Sequence, residues 1–229
     1  MSEQEWITVA RTTTNTIEGS TVTVFINTTP ICPNMTNAQF RKLMMRLRDI
    51  AVKMIDDRII ALATVWVREK ERVQTWFGKS DEGTRKTLLE GLPRLQSVLR
   101  ELTPENMIRY DDELGKSLSC VPVADMGSND AAVCKPDSQK RIIQFYSHFC
   151  TLPSADLHTN CKLKVLLHEC THYVDAFDSL DNAYGWASGL KYWARAHSEE
   201  SLNNADSIAC YIAHFEGLDL DPDGRLWKS

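Results

Sequence analysis

His168-Glu169-Cys170-Thr171-His172, followed a short way on by Asp181-Asn182-Ala183-Tyr184-Gly185, is the stretch on which the reading of this chain turns. If residues 162 to 176 form a helix, the i, i+4 spacing sets the imidazoles of His168 and His172 one turn apart on one face. Two nitrogens placed in this way can hold a single zinc ion. Glu169 then stands beside the metal, where it can act on a water molecule. The neighbours fit the helix: Leu163, Leu167, Cys170 and Val174 fall at i, i+4, i+7 and i+11, an apolar stripe turned away from the histidine edge. At about 100° per residue, Cys170 lies about 200° around from His168 and is expected as a buried core thiol.

A catalytic zinc takes three protein ligands and keeps one position open, so a third ligand has to follow His172. Asp181 is the leading candidate. The composition Asp178-Ser179-Leu180-Asp181-Asn182 suits a turn that would return a carboxylate to the helix, although an ordinary turn or N-cap aspartate has the same surroundings. Tyr173 to Asp181 contain neither the glycine nor the histidine of the longer metzincin signature. Glu199, Glu200 and Glu216 stay open as downstream carboxylates of a thermolysin-type arrangement.

These motifs resemble those of the aspzincin metallopeptidases, which include deuterolysin and the fungal peptidyl-lysine endopeptidases. That family shows HExxH and then Gly-Thr-x-Asp-x-x-Tyr-Gly. Here Asp178-Ser179-Leu180-Asp181-Asn182-Ala183-Tyr184-Gly185 keeps the Asp, the Tyr and the last Gly, with Asp178 and Ser179 in place of the glycine and threonine. Val73-Gln74-Thr75-Trp76-Phe77-Gly78, ahead of a helical stretch, and Asn203-Asn204-Ala205-Asp206-Ser207 extend the likeness over roughly residues 40 to 216.

The resemblance implies a zinc-dependent endopeptidase acting on proteins or peptides. His168, His172 and Asp181 would be the metal ligands, and Glu169 the base that takes a proton from water and passes it to the leaving amine. Tyr184 would donate a hydrogen bond to the developing oxyanion, its plainer role being an aromatic packed beside Trp186. Asp206 would brace a ligand or line the pocket for a substrate side chain. It could equally cap the helix carrying Ile208, Tyr211, Ile212 and Phe215. Acidic residues select a basic side chain in the lysine-specific members, a preference that one aspartate does not establish.

The expected fold is α+β, a mostly helical zincin-like metallopeptidase domain with a small β-sheet and the HExxH helix flooring a cleft. Residues 1–35 read as an N-terminal β element and residues 36–229 as the metallopeptidase domain. Thr21-Val22-Thr23-Val24-Phe25-Ile26 alternates as a strand, with Glu18-Gly19-Ser20 as a turn before it. Thr36-Asn37-Ala38-Gln39 is a capping box opening a long helix lined by Phe40, Met44, Leu47, Ala51, Met54 and Ile55. A second helix is expected over residues 83 to 102, bent near Gly91-Leu92-Pro93. Short strands and turns follow from Glu105 to Pro136. Ile142-Ile143-Gln144-Phe145-Tyr146 reads as the strand that edges the cleft and pairs with extended substrate.

Composition excludes little but orders the alternatives. The 229 residues are 43% hydrophobic and 25% charged, ordinary globular values. A net charge of −5 without a basic run argues against nucleic acid, and Arg41-Lys42 with Arg46 and Arg48 reads as the solvated side of a helix. There is no apolar run long enough to span a membrane, and a monomer is the default. His148, His158, His197 and His214 are left as surface or supporting residues.

Seven cysteines leave at least one thiol free, and Cys170 is the expected one. Cys120 with Cys134, and Cys150 with Cys161, are spaced for loop-closing disulfides in an oxidising place. The start Met1-Ser2-Glu3-Gln4-Glu5-Trp6 is acidic and no apolar signal region follows, although the family is typically exported. A leader removed from the chain would account for that. So would delivery outside the producing cell by a route without a cleavable signal, as for a secreted bacterial effector. Two other functions stay open: a zinc amidase or peptidase acting on cell-wall peptides, and a non-catalytic binding protein on the same scaffold. Retention of Glu169 speaks against the last.

Overall fold

The computed structural model describes residues 5–13, 21–121, 123–156, 159–185 and 188–213. Among the described residues the chain is mostly helical with two small sheets. It begins with β1 (Glu5–Thr13) and β2 (Thr21–Thr28), an antiparallel pair with a register shift between Thr8 and Ala10. The expected turn at Glu18 to Ser20 lies outside the described residues.

Helix α1 (Asn37–Thr64) opens on the capping box read from its sequence: Gln39 N donates to Thr36 Oγ1 at 3.2 Å and Thr36 N to Gln39 Oε1 at 2.9 Å. Its expected apolar face, Phe40 to Ile55, is buried throughout. The opposite side is less open than expected, since Arg48 Nη1 reaches the carbonyl of Leu102 at 2.6 Å.

Helix α2 (Trp66–Phe77) contains Val73 to Phe77, so that segment closes one helix as well as preceding the next, as expected. Its buried positions include Glu69, whose charge interrupts the apolar stripe in the sequence; Arg58 at 2.9 Å and Tyr211 Oη at 2.8 Å make that burial tolerable. Gly78 ends α2 at φ 70°, and a Cβ there would meet Ala194 O at 2.1 Å. Helix α3 (Glu82–Glu101) is capped by Asp81, which accepts from Thr84 N at 2.7 Å, and runs uninterrupted through Pro93.

The second sheet has the order β3-β5-β4, with β3 (Met107–Arg109) parallel and β4 (Ala131–Val133) antiparallel to the central β5 (Ile143–Phe145). The short α4 (Glu113–Lys116) lies between β3 and β4 in the chain. Here the structure corrects the sequence reading. The Ile142–Tyr146 segment does supply a strand, but with partners on both sides it cannot edge the cleft; β4 does so instead. The physical reason is visible in β5 itself, whose three residues are all buried, as in a strand inside a core.

Helix α5 (Ser147–Thr151) follows, then α6 (Lys162–Thr171), α7 (Ser188–Ala196), α8 (Ser198–Ser201) and α9 (Ala205–Ala213). Every residue of α6 is buried, because α9, α1, α3 and β4 all pack on it. The core joins α1 to the sheet through edge-to-face Phe40 and Phe145, 5.1 Å between centroids. Among the described residues no helix is long and apolar enough to cross a membrane.

The cysteines pair only partly as expected. Cys120–Cys134 forms, but Cys150 bonds Cys32 rather than Cys161. Cys161 begins α6 facing the core and stays free and buried with Cys170 and Cys210, while the turn before α1 lies against α5. Chain separation does not reveal that approach.

Candidate metal centre

Helix α6 ends earlier than the periodicity suggests, at Thr171, with His172 as its C-cap. The last turn tightens as His172 N donates to Glu169 O at 3.2 Å, and Ser179 N takes the carbonyl of Thr171 at 3.2 Å. Val174 therefore leaves the helical register and is 54% exposed, whereas Leu163, Leu167 and Cys170 of the expected stripe lie in the core. His172 keeps helical dihedrals, so the i, i+4 pair survives: the Nε2 atoms of His168 and His172 stand 3.2 Å apart.

The turn that follows returns the chain to this pair. Asp178 has φ 52°, the left-handed conformation, at the position where the resembled motif has glycine. Aspartate is among the few residues that tolerate it. Lys135 Nζ fixes the turn, reaching Asp178 Oδ1 at 2.7 Å and the carbonyls of Asp178 and Ser179 at 3.1 and 2.9 Å. Arg141 braces the preceding residues: its guanidinium bonds Asp175 and Glu101 and lies over the Tyr173 ring.

Beyond the turn, Leu180 forms a bridge with Asn204. The Asn204 side chain, fully buried, accepts from Asn182 N at 3.0 Å and Ala183 N at 2.9 Å, and donates to Ala183 O at 3.0 Å. Asp181 is held inside this clamp. Its Oδ1 sits 3.1 Å from His168 Nε2 and 3.4 Å from His172 Nε2. Among the described residues, His168, His172 and Asp181 are the group whose ligand atoms converge, all within 4.8 Å of one another.

Each histidine has its other nitrogen committed. His168 Nδ1 lies 2.7 Å from Asp206 Oδ1, and His172 Nδ1 lies 3.0 Å from the carbonyl of Ser179. Both partners are acceptors, so Nδ1 carries a hydrogen in each ring and Nε2 is the nitrogen turned to the shared point. Asp206 is 2% exposed and also takes Lys164 Nζ at 2.9 Å and Gly185 N at 2.5 Å on Oδ2. It stands in the first turn of α9, yet its side chain supports His168 rather than capping its own helix.

Glu169 and Tyr184 complete the cleft, a space of about 650 Å³ lined also by β4 and by Asp130, Asn160 and Lys164. Burial pushes the Glu169 carboxyl up, partly offset by the two histidines. The Tyr184 ring stacks beside His168 at 6.0 Å between centroids and the residue is 70% exposed, which sets aside a core-packing role. Desolvation and the adjacent Asp181 carboxylate push its phenol up, so it stays protonated.

The other sequence candidates lie elsewhere. Glu199 is exposed and paired with Lys79, and Glu200 is exposed on α8; neither lines the cleft. His148 bonds Asp130 and His197 stacks on Trp193. Glu216, His158, His214, Phe215 and Trp186 lie outside the described residues. Sequence reasoning gave no role to Lys135, Lys164, Ser179 or Asn204. For Lys164 a signal was present, since it stands four residues before His168 on the same helical face.

The sequence profile of the aspzincin (M35) family, described as lysine-specific metallo-endopeptidase, matches residues 62–213. The chain belongs to the aspzincin metallopeptidases. The solved structure of a zinc peptidase from Grifola frondosa superposes on this aspzincin with a TM-score of 0.57 at 17% identity, covering 76% of this chain and 93% of that one. No curated protein matches the sequence. Zinc is the metal the family implies, and two imidazole nitrogens with one carboxylate oxygen, each imidazole oriented by an acceptor, are a donor set that fits it.

Proposed function

We propose that this aspzincin is an endopeptidase in which His168, His172 and Asp181 hold zinc, Glu169 is the general base, Tyr184 an oxyanion donor and Asp206 the residue that positions His168. The observation that carries the reading is the convergence of those three ligand atoms beside a buried glutamate. A bound zinc supplies Lewis acidity toward a peptide carbonyl and an attacking water. Glu169 accepts the proton that the water loses and delivers it to the leaving amine nitrogen, so one carboxylate serves both halves of the hydrolysis.

Tyr184, held protonated, donates to the carbonyl oxygen as negative charge develops there. Asp206 keeps the His168 ring in one tautomer and orientation. The edge strand β4 lines the cleft, where an extended peptide can add to the sheet. Two disulfides favour work in an oxidising compartment, and so release from the producing cell, including delivery as a secreted effector.

The test compares the zinc-loaded chain with its Glu169→Gln form on a mixture of unfolded proteins, cuts being mapped by mass spectrometry. Glu169→Gln should keep zinc and lose about 10²–10⁴-fold in turnover. Full activity in that variant would overturn the assignment of the base, and no cuts by the unmutated protein would overturn a general endopeptidase.

A further inference from the structure

The family is described by its lysine specificity, which requires a carboxylate able to meet a substrate ammonium. The carboxylates lining this cleft are Asp130, Glu169, Asp181 and Asp206. Asp181 faces the two histidines and Glu169 is the base in the proposal above, so neither can serve as a side-chain receptor without leaving its role. Asp130 is taken on both oxygens, by His148 Nδ1 at 2.6 Å and Asn160 Nδ2 at 2.7 Å. Asp206 is taken by His168 on Oδ1 and by Lys164 and Gly185 N on Oδ2.

Lys164 is thus an ammonium supplied by the chain itself, seated on the acid that stands behind His168 and lining the same cleft. A substrate lysine entering there would shed its water, approach a like charge and find the acceptors already engaged. An acidic side chain meets the reverse situation, because Lys164 directs one N–H to Asp206 and has others to offer.

We infer that Lys164 is a specificity-determining residue that occupies the acidic receptor of the cleft, so that this aspzincin disfavours lysine beside the cleaved bond and accepts uncharged or acidic side chains. The inference rests on the endopeptidase reading above. A lysine should lower kcat/KM on the order of tenfold or more relative to glutamate at the same position, within the reach of a like-charge contact.

The experiment maps cuts in unfolded proteins for the zinc-loaded chain and for Lys164→Met, which removes the ammonium and keeps most of the stem. Zinc content and thermal melting of both proteins establish that the variant is folded and loaded. Cut sites depleted of lysine in the unmutated chain, with lysine returning in Lys164→Met, is the expected result. Lysine as the dominant flanking residue in the unmutated chain, or an unchanged lysine frequency in a folded, loaded Lys164→Met, would overturn the inference.

A binding arm separates the two readings. Zinc-loaded Glu169→Gln is titrated calorimetrically with matched peptides carrying glutamate or lysine. Tighter binding of the lysine peptide overturns the selectivity. Tighter binding of the glutamate peptide, together with no cutting by the unmutated protein, sinks the peptidase reading and leaves the selectivity standing.

Discussion

Replacing Asp206 by asparagine keeps the volume of the side chain and removes its charge, which makes it a sensitive probe of the metal centre. The carboxylate serves His168 Nδ1 at 2.7 Å, Lys164 Nζ at 2.9 Å and Gly185 N at 2.5 Å. An amide has one accepting oxygen, so whichever way it turns, its NH₂ group faces a donor. Partners that orient a metal-ligating histidine are worth about 10–100-fold in metal affinity, or about 1.4–2.7 kcal/mol.

A second cost is independent of metal. Lys164, with its side chain 10% exposed, loses its counter-charge, and removing one member of a buried pair costs about 3–5 kcal/mol. Because Lys164 lines the cleft and its tip can turn toward water, the lower end applies: about 3 kcal/mol, or a fall of about 6–12 °C in the Tm of the zinc-free protein. The double variant Asp206→Asn with Lys164→Met separates these effects. Stability should largely return once the stranded ammonium is gone, whereas zinc affinity should stay weak because His168 still lacks its anion. Chelator competition measures the affinity and calorimetry the melting. A zinc affinity within about twofold of the unmutated protein, or a double variant no more stable than the single, would refute this reasoning.

Three other variants test the remaining roles. Tyr184→Phe should lower kcat by about 10²-fold or more, with little change in KM or zinc content, if the phenol acts on the oxyanion; a drop confined to KM would contradict that role. Asp181→Ala removes a carboxylate from the converging group and should release zinc to a chelator that the unmutated protein resists, as read by metal analysis after dialysis. Asp175→Asn addresses pH. The Arg141 guanidinium, opposed by partial burial, holds Asp175 below the usual carboxylate range. A depressed folded pKa contributes stability above the unfolded value of about 3.9 and loses it as pH falls through the folded one. The variant should flatten the acid limb of Tm against pH below about pH 5. At neutral pH it should cost about 1 kcal/mol, about 2–4 °C, after discounting for exposure. An acid limb identical to that of the unmutated chain would show that Asp175 is not part of it.

Much of the candidate site was legible because its residues are spaced by local rules. The i, i+4 histidines needed only helical periodicity and Asp181 a turn that comes back, whereas Tyr184 was legible only through the resemblance to the family motif. The turn itself carried a hidden condition. Asp178 departs from the glycine of the resembled motif, and only the structure shows that this position is left-handed, with Lys135 fixing it in place. Asn204 was visible as part of a motif, but its clamp on Asn182 and Ala183 depends on the bridge to Leu180, a pairing between distant segments.

By itself, then, the sequence determined what repeats along one element: the capping box and apolar face of α1 and the histidine pair on α6. These follow from dihedral periodicity, which acts wherever the residues occur. Tertiary structure alone decided which distant groups meet: Cys32 with Cys150, β4 rather than β5 at the cleft, and Asp206 with both His168 and Lys164. The last of these depends on how α6 and α9 bury one another's faces. Burial then turns an ordinary lysine and aspartate into a charge pair that neither can leave at low cost, and local spacing carries no record of that.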